Sequence, residues 1–264
     1  KNPVAAIQNI DDPDGAQKRQ ALEWEQVRQL AAAAIQRPLQ RSPRKSLEKN
    51  LAIGKRRALT VITAFLTGLR NNELANMVWG WINFVDNEIT VPHDLSKSGR
   101  TEHVPLHAGL ANLLTQERKR RSIAAGKSVT NNELVLGQTI NGEPKLPKNL
   151  PARIRADAKW AGLAVVDENG DKLDLHAMRT NFGNQLDQLG VPEAITADLM
   201  RHKPQKVTRT NYLKRRNAMM LPFINEIPAE AAHVPGLHEE PAATPNQVRT
   251  NAHVSAPTTN KKAE

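Results

Sequence analysis

Two blocks of apolar residues at helical spacing, split by one short stretch where the period falls to two, limit what this chain can fold into. In the first block Leu59, Ile62, Leu66 and Leu69 recur every three or four residues, which puts them on one face of a core-packed helix. Leu22, Val27, Leu30, Ala34 and Ile35 form a similar stripe between Lys18 and Gln36. Gly68 is expected to weaken the last turn of its helix, and a short helix is predicted from about Asn72 to Val78. The segments 82–85, 88–91 and 101–106 then read as strands. Their connectors, Asp86-Asn87 and Ser96-Lys97-Ser98-Gly99, predict a small antiparallel sheet. Helical spacing resumes over 108–123, and a loop-rich stretch with Pro144, Pro147 and Pro151 follows. Asp174 is placed to cap a helix whose apolar positions are Leu175, Met178, Phe182, Leu186 and Leu189. Gly190 suits the end of that helix and Pro192 the first turn of the next. A last helix is predicted from about Thr208 and contains Tyr212, the only tyrosine of the chain. The fold class is therefore mainly α with a small antiparallel β-sheet, an α+β domain.

Both ends differ from this pattern. Residues 1–17 carry Pro3 and the turn-like run Asp11-Asp12-Pro13-Asp14-Gly15, and read as a linker. From Pro228 the chain is rich in Pro, Ala, Thr and Asn, so 228–264 is expected to be a disordered tail. Residues 18–227 remain as one domain.

Charge narrows the partner. With 37 Lys+Arg against 27 Asp+Glu, the net charge is +10, which favours a polyanion through counterion release. A basic stretch from Arg37 to Arg57 is either a solvated loop and helix start or a phosphate-facing edge. No cysteine is present, which excludes disulfides, thiolate zinc sites and cysteine nucleophiles and fits a reducing cytoplasm. No apolar run approaches the roughly 18 residues of a membrane helix, so no membrane association is expected.

The residues that carry chemistry fall into ordered boxes. Thr67-Gly68-Leu69-Arg70-Asn71-Asn72-Glu73-Leu74 resembles the first arginine box of the tyrosine recombinases, or phage-type integrases. Leu175-His176-Ala177-Met178-Arg179-Thr180 resembles their His-x-x-Arg box, Leu199-Met200-Arg201-His202 the later histidine box, and Thr208-Arg209-Thr210-Asn211-Tyr212 the nucleophile box. The resemblance runs from about Lys18 to Leu221. A lone His-x-x-Arg arises by chance, whereas the boxes in family order are a strong signal. The sequence departs at Arg201, where a glycine usually precedes the histidine, and the gap from His202 to Tyr212 is one residue longer than usual. A four-residue loop at 203–206 is able to absorb the difference.

The resemblance implies DNA cleavage and rejoining through a 3′-phosphotyrosyl intermediate, with Tyr212 as nucleophile and no cofactor or metal. Arginine is permanently charged and its planar fork matches phosphate oxygens. Arg70 and Arg179 would therefore hold the two non-bridging oxygens and stabilise the pentacoordinate transition state. Taken alone, either arginine would more simply be a surface or ion-paired residue. His176 lies three residues before Arg179, so both share a helix face. It would donate to the phosphate or act as general base toward the tyrosine, against the simpler role of a capping histidine. Lys97, in its predicted turn, would protonate the departing 5′ oxygen, though turns commonly carry solvated lysines. His202 would support the phosphate and order the tyrosine. Arg100, Arg209, Lys214 and Arg215 are candidate DNA contacts, and the cations around Tyr212 favour phenolate and phosphate together. The alternative for Tyr212 is a half-buried aromatic with one hydrogen bond.

Other polar and aromatic residues receive plainer readings. Glu73 is expected to pair with a nearby cation or cap its helix, His103 and His107 carry little weight as a metal pair, and Trp79, Trp81 and Trp160 are assigned to the core. The implied partners are double-stranded DNA and further copies of the chain in a synaptic tetramer. Family members usually carry a helical DNA-binding domain upstream, and the sequence from Lys1 is expected to lack it. The apolar segment Met219, Met220, Leu221 and Phe223 is suited equally to docking on a neighbouring copy or on its own domain. Three rivals stay open: a type IB topoisomerase-like enzyme that relaxes DNA, a non-catalytic DNA-binding relative, and a basic RNA-binding module, the last disfavoured by scarce aromatics.

Overall fold

A computed structural model of the chain describes residues 19–41, 47–201 and 217–237. The expected 1–17 linker lies outside these residues. So do the last predicted helix with His202, Arg209, Tyr212, Lys214 and Arg215, and residues 238–264. The chain runs α1 (Trp24–Arg41), α2 (Leu47–Thr67), α3 (Asn71–Asn76), β1 (Ile82–Asn83), β2 (Glu88–Val91), β3 (Glu102–Pro105) and α4 (Ala108–Ala125). Then come β4 (Gln138–Ile140), β5 (Glu143–Lys145), α5 (Leu150–Trp160), α6 (Leu175–Gln188), α7 (Glu193–Leu199) and α8 (Asn217–Ile224), followed by a short 3-10 turn over Ala229–Ala232.

The helices build one core. Leu59, Ile62 and Leu66 of α2 are buried against Val27, Leu30 and Ile35 of α1 and against Met178 and Phe182 of α6. Gly54 permits the close approach of the first pair: a Cβ there would sit 2.5 Å from the Ala34 carbonyl oxygen. Arg57 is 1% exposed, and Asp157 of α5 neutralises it through a 2.9 Å bond from Nε, while Arg37 of α1 reaches the same carboxylate at 2.6 Å. Part of the basic stretch is thus internal glue for α1, α2 and α5, because a buried guanidinium must be paired.

The sheet order is β1-β2-β3, antiparallel throughout, with Ile82 opposite Ile89 and Val104 opposite Ile89 on the far side. Ile89, Val91 and Val104 point inward. The Ser96–Gly99 turn forms as expected, closed by a 3.0 Å bond from the Gly99 amide to the Ser96 carbonyl. Asn87 and Gly99 both have positive φ, of 50° and 67°.

Several expectations need correction. The proline-bearing stretch after residue 125 is not simply loop: it holds the β4–β5 hairpin and α5. Residues 228–237 are not a disordered tail. Ala231, Ala232, Val234 and Leu237 are buried in the core, with the 3-10 turn packed on α4 and α1. The approach to α4 is close: a Cβ at Gly109 would sit 2.9 Å from the Ala229 carbonyl oxygen, so small side chains suffice there. Trp79 is fully buried, flanked by the guanidinium groups of Arg118 and Arg121 at 5.7 and 5.6 Å, but Trp160 is 37% exposed and Leu189 lies outside the core. Met220 and Ile224 of α8 are buried in the core, with Leu221 and Phe223 packed against it, while Met219 is exposed. Among the described residues, no helix is long and apolar enough to cross a membrane.

Candidate phosphate-binding site

Helix ends gather the site. α2 stops at Gly68, whose φ of +59° reverses the chain and points its carbonyl away from the helix. A Cβ at Gly68 would meet the Phe182 ring at 2.7 Å, so only glycine lets this corner sit against α6. Arg70 follows as the N-cap of α3, and Glu73 closes the turn by accepting from the Arg70 amide at 2.7 Å and from its guanidinium at 3.1 Å. Glu73 thus performs both expected tasks, cap and ion-pair partner.

α6 supplies the next pair. Asp174 caps it, accepting from the Ala177 amide at 2.9 Å, and also pairs with Arg19 at 3.4 Å. Leu175, Met178 and Phe182 anchor the helix, while Arg179 is buried and His176 stays exposed on the same side. Arg179 donates to the carbonyls of Gly68 and Met200, so it bridges the ends of α2 and α7.

Arg70, His176 and Arg179 are close enough to act on one another electrostatically. Desolvation, then the cations Arg19, Arg179 and Arg70, push the His176 imidazole below its usual value, with Asp174 opposing them. Burial, followed by Arg201 and Arg70, pushes Arg179 down to about 10, opposed by Glu73 and Glu102. Both shifts reflect crowded positive charge, which a bound anion would offset. Glu73 shows the converse. Burial raises it, but hydrogen bonds and charge from Arg201, with further help from Arg70, more than offset that and keep it ionised.

Arg201 is the site residue that sequence reasoning named only as a departure. It follows α7 with φ +53°, the left-handed conformation of a helix-terminating glycine, which explains why glycine suits this position. Its side chain, 6% exposed, pairs with Glu73 at 2.8 Å and with Glu102 of β3 at 2.9 Å, and reaches the Gly68 carbonyl at 3.3 Å. The signal available beforehand was a bulky cation in a glycine position.

Lys97 and Arg100 stand exposed on the turn that leads into Glu102. The structure brings Arg70, His176 and Arg179 within electrostatic reach of one another, and does not bring these two into that group. His202, Arg209, Tyr212, Lys214 and Arg215 are outside the described residues. His103 contacts Glu88 across the sheet, whereas His107 is buried with its ring bonded to the Ile227 carbonyl at 2.9 Å, so the two face different surroundings. Among the described residues no cluster of three or more His, Asp or Glu is arranged to hold a metal.

Known proteins resemble this chain in sequence and fold. Residues 20–219 match the model of the phage integrase family. Prophage integrase IntZ of Escherichia coli K12 is 27% identical over 189 residues, which is 69% of this chain and 42% of that protein. The chain thus spans less than half the length of that relative. In three dimensions it is similar to the integrase from mycobacterium phage Brujita, with a TM-score of 0.53 and 19% identity, over 87% of this chain and 64% of that one. A post-cleavage complex of the XerH site-specific recombinase on a palindromic difH substrate matches with a TM-score of 0.52 and 17% identity, over 80% of this chain and 55% of the recombinase. With a family match over most of its length and the family's fold, the chain belongs to the phage integrase family, the tyrosine recombinases.

Proposed function

We propose that this chain is the catalytic part of a site-specific DNA recombinase that cuts and rejoins strands through a 3′-phosphotyrosyl intermediate. The observation that carries the reading is the cationic cluster of Arg70, exposed His176 and buried Arg179, within electrostatic reach of one another. Its chemistry suits a phosphodiester. Arg70 and Arg179 hold the non-bridging oxygens, whose charge grows in the transition state. The Tyr212 oxygen attacks phosphorus, its proton passing to the neutral His176 imidazole, and the P–O5′ bond breaks. Lys97 gives a proton to the departing 5′ oxygen, leaving a free hydroxyl. His202 supports the phosphate from the other side. The reverse sequence rejoins the strand, because the phosphotyrosyl ester conserves the bond energy. The arginines supply the charge that a metal supplies elsewhere, so the reaction is metal-independent. Arg100, Arg209, Lys214 and Arg215 contact the flanking backbone, and recombination proceeds in a tetramer on synapsed duplexes.

A nicked suicide DNA substrate tests this reading. The wild-type chain, or the full-length protein carrying it, should form a covalent protein–DNA adduct that survives denaturation and is insensitive to EDTA. Absence of the adduct with both proteins would contradict the enzyme reading. Relaxation of supercoiled DNA by monomers without site preference would favour the topoisomerase-like alternative.

A further inference from the structure

We propose that Arg201 is a positioning residue, which sets Arg70 and the Lys97 turn in register with each other before DNA arrives. The inference rests on the function proposed above and goes beyond it. Arg201 joins three separate parts of the site: Glu73, which also holds the Arg70 amide and guanidinium; the Gly68 carbonyl, shared with Arg179; and Glu102, the first residue of β3, which follows the Lys97 turn. These partners are 128, 133 and 99 residues away in sequence, so the contacts are long-range and belong to the assembled fold.

The local backbone argues in the same direction. Arg201 occupies the left-handed region at φ +53°, where an L-residue with a Cβ is strained and glycine is not. A strained conformation persists where surrounding contacts over-determine it. Here those contacts are two carboxylates that a glycine could not reach. One of them, Glu73, is only 1% exposed and would otherwise face Arg70 alone. The other, Glu102, ties β3, and through it the turn bearing Lys97, to the arginine cluster. The Nε of Arg201 is buried and has no hydrogen-bond partner among the described residues, where the guanidinium is held by its two terminal nitrogens. The same contacts also fix the point from which the chain departs toward His202 and Tyr212.

The test uses Arg201→Gly, Arg201→Lys and Glu102→Gln in the same chain. Adduct formation on the suicide substrate is measured at saturating and at limiting DNA, together with backbone hydrogen exchange over 69–74 and 96–102. Arg201→Gly should slow adduct formation about 10- to 100-fold at saturating DNA, as expected for misplaced groups, and change the half-saturating DNA concentration less than about twofold. Arg201→Lys, which keeps the charge, should recover part of the rate. Glu102→Gln should also slow the reaction, with less effect once Arg201 is already glycine. Exchange should rise in both segments. A wild-type rate in Arg201→Gly, or purely additive effects with Glu102→Gln, would overturn the proposal. If the wild type itself forms no adduct, the proposed function fails, and exchange then decides on Arg201 alone: unchanged protection in Arg201→Gly would overturn it.

Discussion

Arg179 has a clear structural role, and the proposed function gives it a second one at the phosphate. It is buried, charged and bonded to two backbone carbonyls, so its guanidinium is fixed in place and poorly solvated. Arg179→Ala should therefore slow adduct formation about 10²–10³-fold, the scale seen when a preorganised donor is removed from an anionic transition state. Single-turnover cleavage with circular dichroism as a folding control checks this. His176 makes a prediction about pH. Its folded value lies below the ordinary histidine range, so the neutral form persists through neutral pH. If neutral His176 takes the tyrosine proton, the rate should stay level from pH 8 to about 6.5 and fall only on further acidification. The stability linked to this group has the same sign: it is present above about 6.5 and is lost as pH falls through the lowered value. An acid limb that moves upward rather than downward from 6.5 would contradict the assignment. Arg70, His176 and Arg179 were legible in the sequence because each box is local. The Arg201–Glu102 pair was not, since its partners are 99 residues apart and its geometry depends on a left-handed backbone that arginine does not advertise.

Among the elements, α2 and α6 were visible because their apolar residues keep helical spacing and because Asp174 offers a cap. The hairpin β4–β5 carried a readable signal, Asn141-Gly142, with φ of 53° and 81° as a two-residue hairpin loop requires. Prolines around it masked that signal. α5 was obscured by Pro151, which is acceptable in the first turn, and by Asn149, which caps it from the left-handed region. The corner between α2 and α3 gives a stability prediction. Gly68→Ala places a non-glycine residue at φ +59° and a Cβ 2.7 Å from Phe182. The backbone alone should cost about 1–2 kcal/mol, with the clash adding to it, and urea denaturation should show a lower midpoint. The C-terminal segment gives another. Ile227 is fully buried, so Ile227→Ala should destabilise the fold by about 2–5 kcal/mol through lost side-chain packing, measured in the same way. An unchanged midpoint would mean that Ile227 is not packed in the core.

For the molecule as a whole, charge and architecture divide the work. Some cations are spent internally, as the Asp157 and Glu117 pairs show, yet the chain keeps a net charge of +10. Affinity for duplex DNA should fall steeply with salt, linearly in log–log form, and a titration showing no dependence would contradict phosphate-dominated binding. Such a slope reports binding, and many basic proteins share it. What distinguishes a tyrosine recombinase is the covalent bond, and its location is the central claim. The decisive measurement is peptide mapping by mass spectrometry of the adduct trapped on a suicide substrate, alongside Tyr212→Phe. The account predicts a 3′-phosphate linked to the peptide containing Tyr212 and no adduct from Tyr212→Phe. An adduct at another residue, or one that survives the substitution, would contradict it.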